Sequence, residues 1–76
     1  REKNPATEDG HLITGRELEI LKLLAEGLVK KQIAEHLQIS PFTVAAHVRS
    51  IYNKLQVVNA PAAVHQAYRK GILPLS

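Results

Sequence analysis

The residues best suited to bind a partner are the cations and hydrogen-bonding side chains in the second half of the chain. All seven Asp and Glu residues precede residue 36, whereas the remainder carries Arg49, Lys54, Arg69 and Lys70. The net charge is only +3, so its distribution is more informative than its size. A surface without carboxylates suits a polyanion, because each nearby carboxylate would oppose the counterion release that drives phosphate binding. Chance segregation of charge in a short chain is the alternative interpretation.

Catalytic and metal-binding residue types do not occur in productive spacings. The chain has no cysteine, and no two of its histidines are separated by three or four residues, the spacing that would place both on one helix face. These histidines are His11, His36, His47 and His65. No Gly-rich phosphate loop, nucleophile turn or carboxylate pair is present. We therefore expect no enzyme activity, no metal site and no cofactor.

The first of four predicted helices covers residues 15–26. Thr14 can cap the backbone amide of Glu17, and the Glu17 side chain can return to the amide of Thr14, which is a capping box. Apolar residues then recur at helical spacing, and Gly27 supplies the left-handed residue that ends the helix. We expect Glu17 to serve in capping and packing, because an anion close to a polyanion would be repelled.

The second helix is short and is predicted over residues 30–37. Val29 lies where a Ser, Thr or Asp cap is expected, so the start of this helix is poorly made. Lys30 and Lys31 place positive charge at the positive end of the helix dipole. These lysines either tolerate a small cost in stability or serve an anionic partner.

The third helix is predicted over residues 41–55, with Ser40 as N-cap and Pro41 at the first helical position. A narrow apolar stripe repeats along it at helical spacing: Val44, Val48, Ile51 and Leu55. The opposite face carries small, polar and basic residues, which suit contact with base edges and phosphates: Thr43, Ala46, Arg49, Ser50, Asn53 and Lys54.

The fourth helix begins at the cap Asn59, has Pro61 in its first turn and ends at Gly71. Its apolar face is rich in small residues, which allow close approach of another helix: Ala63, Val64, Ala67 and Tyr68. The predicted fold class is all-α, a four-helix bundle in which helices two and three form a helix-turn-helix through residues 38–40.

The ordered motifs of residues 12–73 resemble a known family. The motifs are Thr14-x-Arg16-Glu17 with Ile20-Leu21, Leu24-Ala25-Glu26-Gly27-Leu28, Lys31-Gln32-Ile33-Ala34, and Ile39-Ser40-x-x-Thr43-Val44-x-x-His47-x-x-x-Ile51-x-x-Lys54-Leu55. They are similar to the LuxR-type, or GerE-like, helix-turn-helix domains of bacterial transcription regulators. The resemblance implies a compact domain whose third helix enters the DNA major groove and whose fourth helix commonly mediates dimerisation.

Helix geometry and this resemblance together give the expected site. Arg49 is the expected principal base reader, most simply of a guanine, with apolar contacts from Ala45 and Ala46. The expected phosphate contacts are Lys30, Lys31, Thr43, His47, Asn53 and Lys54. For the lysines the alternative is a solvated surface, and for His47 it is a partly buried structural histidine. The expected homodimer interface on helix four is Val64, Ala67 and Tyr68.

Several positions depart from the family pattern. The departures are Ala45 and Ala46 in place of a lysine and a polar residue, Val29 and Lys30 in place of a Ser or Thr and an Asn, Gln56 in place of a glycine, and Ala60 in place of an arginine. They leave the fold intact but remove possible phosphate or guanine contacts. A protein interaction module that keeps the fold is therefore the alternative function. A promoter-recognising region of a sigma factor is a third, which the His47 to Leu55 pattern disfavours.

The opening residues, 1–11, contain no apolar period and are interpreted as a linker from a missing N-terminal domain, followed by the DNA-binding domain over residues 12–76. That missing domain could be a phosphorylated receiver, which we prefer, or a small-molecule sensor. The apolar runs are far shorter than a membrane span, and no signal segment opens the chain. We expect a soluble, cytoplasmic regulator whose partner is double-stranded DNA.

Overall fold

The computed structural model describes residues 13–74, and within that span the chain folds into four α-helices without a β-strand. The helices are α1 Gly15–Ala25, α2 Lys30–Leu37, α3 Pro41–Leu55 and α4 Ala60–Arg69. The predicted all-α class and four-helix arrangement are confirmed. The predicted linker, residues 1–11, lies outside the described residues.

The start of α1 is held by the predicted capping box. The Glu17 amide donates to Thr14 Oγ1 at 3.1 Å, and the Thr14 amide donates to Glu17 Oε1 at 3.0 Å. Two otherwise unpaired amides of the first turn are thereby satisfied. The helix ends at Ala25, and after the cap residue Glu26 comes Gly27, whose φ of +93° is the left-handed conformation that glycine adopts at little cost.

The start of α2 is better made than the sequence suggested. The side chain of Val29 offers no cap, but Oε1 of Gln32 accepts a hydrogen bond from the Val29 amide at 2.9 Å. Half of a capping box is therefore present, supplied by the residue three positions into the helix rather than by the cap itself. The sequence analysis missed Gln32 because it considered only the cap position, Val29.

The two ends of α3 differ: the N-terminus is well capped, whereas the residue that ends the helix has an unfavourable backbone conformation. The Thr43 amide donates to Ser40 Oγ at 3.0 Å, and Pro41 occupies the first turn, as predicted. At the other end Gln56 adopts φ +59°, where a side chain is disfavoured by about 1–2 kcal/mol relative to the right-handed region. Gln38, which ends α2, has a similar φ of +58°.

The core lies where the four helices meet. The apolar stripe predicted along α3 is buried, and α1, α2 and α4 each pack an apolar face against it. Ala63 and Ala67 of α4 are completely buried, so small side chains let this helix approach the bundle closely. The core consists of Ile20, Leu21, Leu23, Ile33, Ala34, Val44, Val48, Ile51, Leu55, Ala63, Ala67 and Leu73.

Candidate nucleic-acid interface

A helix-turn-helix is formed by α2, the turn at residues 38–40 and α3. The left-handed Gln38 reverses the chain, and the Ile39 amide donates to the Ala34 carbonyl at 3.1 Å. Ile39 is half-buried and packs against the core. The turn is thereby anchored to α2, which fixes where α3 begins.

The outer face of α3 is open to solvent over its whole length. Thr43, Ala46, Arg49 and Asn53 are exposed, whereas Ala45 and His47 are half-buried on the two flanks. The helix contains no carboxylate, so no acid opposes a polyanion on this surface. The hydroxyl of Ser40 donates to Thr43 Oγ1 at 3.0 Å, which orders the first turn. The structure thus brings the predicted base-facing residues together on one accessible surface.

The exposed face also carries a residue that the sequence analysis missed. Phe42, the second residue of α3, is 84% exposed. The available signal was its position two residues before the buried Val44, which directs it away from the core on a helix. It was not singled out because its neighbours in the sequence were interpreted as a helix start and as the buried stripe, and Phe42 belongs to neither.

Lys54 requires a correction. Its Nζ donates to Glu17 Oε1 at 2.7 Å, and its side chain is only 22% exposed. The ammonium group is therefore paired with a carboxylate of α1 within the same chain, which opposes the predicted phosphate contact through Lys54. The residue instead ties α3 to α1.

Glu17 is the centre of this tie. Its Oε2 also accepts a hydrogen bond from Ser50 Oγ at 2.7 Å, so two side chains of α3 and one backbone amide converge on one buried carboxylate. Burial raises the pKa of the Glu17 carboxyl, but the hydrogen bonds from Lys54, Thr14 and Ser50 outweigh burial, and the pKa lies below its ordinary value. The carboxylate is thus held in its charged form and orients α3 from behind. Its predicted role in capping and packing is confirmed.

The remaining predicted residues divide between surface and core. Lys30 and Lys31 are exposed at the start of α2, the first helix of the helix-turn-helix. On α4, Val64 and Tyr68 are half-buried at the rim. Ala67 is completely buried in the core, so its prediction as a dimer-interface residue is wrong: its side chain has no surface to offer a partner.

Within residues 13–74, no three His, Asp or Glu side chains lie close enough together to hold a metal ion. None of the helices in the described span is long and apolar enough to cross a membrane. Three features distinguish this surface. They are the exposed helix α3 without carboxylates, the exposed Phe42 near its start, and the cations Lys30 and Lys31 on α2. A helix-turn-helix with such a face defines the class of DNA-binding regulatory domains.

Comparison with known proteins identifies the family. Residues 11–67 match the family of bacterial regulatory proteins described as the luxR family. The chain is 38% identical over 73 residues to the oxygen regulatory protein NreC of Staphylococcus carnosus (strain TM300), which covers 96% of this chain and 34% of NreC. It is 42% identical over 67 residues to NreC of Staphylococcus aureus (strain JH9), covering 88% and 31% of the two chains.

A solved structure agrees. The fold matches that of the response regulator ChrA of a heme-sensing two-component system with a TM-score of 0.82 and 37% identity, over 88% of this chain and 33% of ChrA. The chain therefore belongs to the luxR family, and its helix-turn-helix is a DNA-binding domain for transcription regulation. It spans about a third of the length of these relatives.

Proposed function

We propose that this domain binds double-stranded DNA sequence-specifically, with α3 in the major groove, as the output domain of a two-component response regulator. The observation that carries the proposal is the exposed, carboxylate-free face of α3 with Arg49 at its middle. The major groove admits an α-helix, and each base pair presents there a distinct set of donors, acceptors and methyl groups.

Arg49 is the proposed reader of a guanine, through two hydrogen bonds from its guanidinium group to O6 and N7. Its exposure and its place between Ala46 and Asn53 on the outer face support this role. Ala45 and Ala46 keep the helix slim enough to approach the base edges and offer apolar contact to thymine methyl groups.

The proposed phosphate contacts flank that reading surface. They come from both helices of the helix-turn-helix, with Lys54 removed from the earlier set: Lys30, Lys31, Thr43, His47 and Asn53. The two lysines of this set neutralise phosphate charge, and together they predict a slope of log affinity against log salt of roughly −2 per subunit. That slope is a property of the footprint and does not depend on the DNA sequence.

Fluorescence anisotropy with a labelled random-sequence duplex over a salt series tests DNA binding. We expect binding at low salt that weakens steeply as salt rises. A flat response, or no binding at low salt, would contradict the proposal and favour a protein interaction module built on the same fold.

A second measurement tests base reading. Arg49→Ala should reduce discrimination between selected and random duplexes by about 1–3 kcal/mol, because one bidentate contact is lost. The matched control is Arg69→Ala, which removes an exposed arginine from α4 and should leave discrimination unchanged. Unchanged discrimination in Arg49→Ala would refute the assignment.

The regulatory setting is proposed from the relatives. ChrA is a response regulator, and this chain covers about a third of it. A receiver domain joined to residues 1–11 is therefore the proposed source of regulation, and a cytoplasmic location follows from action on the chromosome. On DNA we propose a homodimer on half-sites about one helical turn apart, paired through Val64 and Tyr68 on the rim of α4. Sedimentation with and without duplex DNA tests the pairing.

A further inference from the structure

We infer that Phe42 reads the 5-methyl group of a thymine, which adds a base-reading position near the start of α3 to those proposed for Arg49, Ala45 and Ala46. This inference deepens the proposed function and rests on it. Phe42 is the second residue of α3 and is 84% exposed. N-terminal residues of the second helix of a helix-turn-helix are the ones that contact base edges.

The position of Phe42 on the helix surface supports base contact. At 100° per residue, it lies on the same outer stripe as the exposed residues Ala46, Arg49 and Asn53, opposite the buried stripe that begins at Val44. A duplex that lies along this stripe and contacts Arg49 must therefore face the phenyl ring as well.

The side chains at this end of α3 suit a ligand that has an apolar group close to phosphates. Single exposed apolar residues are common on protein surfaces and by themselves mean little. Here the ring adjoins exposed Ala46 and half-buried Ala45, on a helix that carries a cation and no acid. An apolar patch within a cationic, acid-free surface complements the major groove, where the thymine methyl is the apolar feature of the base edges.

Helix geometry sets the spacing between the two readers. Phe42 and Arg49 are seven residues apart, which at about 1.5 Å per residue is roughly 10 Å along the helix. DNA rises about 3.4 Å per base pair along its axis, so on a helix that lies along the groove the two side chains reach base pairs roughly three steps apart. Sequences selected by the 76-residue chain should therefore place a thymine about three base pairs from the guanine read by Arg49.

The test combines a protein change with a DNA change. A random-sequence duplex library is selected with the wild-type chain and with Phe42→Ala, and the selected duplex is then remade with deoxyuridine at the predicted thymine. Deoxyuridine pairs as thymine does and lacks only the methyl group. We expect the wild type to bind the uracil duplex about fourfold more weakly, which corresponds to the ~0.8 kcal/mol of one buried methyl group.

Phe42→Ala should bind the thymine and uracil duplexes equally and should lose the thymine preference in selection. Val58→Ala is the matched control: it removes an apolar side chain of similar exposure, 86%, beyond the other end of α3, and should keep the fourfold effect. The same thymine-to-uracil effect in the wild type and in Phe42→Ala would overturn the inference while leaving DNA binding intact. Failure of the wild type to bind any duplex would overturn the proposed function itself.

Discussion

Replacing Glu17 by Gln is the change that most directly probes how α3 is held. The amide oxygen of Gln can still accept the Thr14 amide, so the cap is retained. The negative charge beside Lys54 Nζ, 2.7 Å away in the native protein, is removed. The Lys54 ammonium then faces a neutral group in a site where its side chain is only 22% exposed. The substitution thus isolates the electrostatic part of the α1 to α3 tie.

The expected cost follows from the burial of the pair. Hydrogen bonds to charged groups contribute about 1.5–3 kcal/mol, against about 0.5–1.5 for neutral ones, so Glu17→Gln should lower the free energy of unfolding by about 1–2 kcal/mol. Glu17→Ala removes the acceptor of the Thr14 amide and the partner of Ser50 as well, and should cost about 3 kcal/mol, the lower end for a broken buried pair because Lys54 keeps some solvent contact. A domain of 76 residues has only roughly 4–11 kcal/mol of stability in total.

Urea denaturation followed by far-UV circular dichroism at neutral pH measures both variants. The control is Glu19→Gln, which breaks an exposed ion pair with Arg16 (3.2 Å, side chains 41% and 57% exposed) on the same helix and should cost less than about 1 kcal/mol. If Glu17→Gln destabilises the chain no more than Glu19→Gln does, the buried carboxylate does not anchor α3 and the reasoning fails.

Acidification gives an independent measurement. Because the pKa of Glu17 is lowered in the folded state, its contribution to stability is complete above the ordinary value of 4.5 and is lost as pH falls through the lower folded-state pKa. The stability difference between wild type and Glu17→Gln should therefore narrow as pH falls through this range. A difference that stays constant or widens would show that the carboxylate charge is not responsible.

Three further predictions concern α3. Lys54→Gln should lower stability while leaving the salt slope of DNA binding unchanged, because its ammonium is bound to Glu17; a slope reduced by about one would restore Lys54 as a phosphate contact. Gln56→Gly should raise the free energy of unfolding by about 0.5–1 kcal/mol in thermal or urea denaturation, since glycine adopts φ +59° without a side-chain clash; a loss of stability would contradict this. Ser40→Ala should cost about 1 kcal/mol in the same assay by removing the cap on the Thr43 amide, and a cost near zero would show that water replaces the hydroxyl.

Local signals explain why so much of the fold could be predicted from the sequence. Caps at Thr14, Ser40 and Asn59 bond to amides three residues away, so each is written in a few consecutive residues. The stripe along α3 is likewise a matter of spacing within one helix. The two left-handed glutamines, Gln38 and Gln56, were not predicted as such, because their conformation is set by the packing of the helices they separate.

Contacts between distant residues explain where the structure departs from the expected surroundings of the site residues. Glu17 and Lys54 are 37 positions apart, and nothing in the spacing of charges shows that they meet. Helical periodicity places Ala67 on the apolar face of α4 but does not say whether that face meets its own chain or another. Only the packed structure shows that Ala67 faces inward, while Val64 and Tyr68 remain at the edge.

The two buried alanines of α4 tolerate less change in side-chain size than the outer residues of this helix do. Ala63 and Ala67 set how far the helix axis stands from its neighbours, and a larger side chain at either position would overpack the interior at a cost of about 1–3 kcal/mol. Val64 and Tyr68 pack against the core only in part, so their size is less restricted. A change of the outer side chains should therefore alter the surface of α4 while the alanines keep the distance between this helix and the bundle.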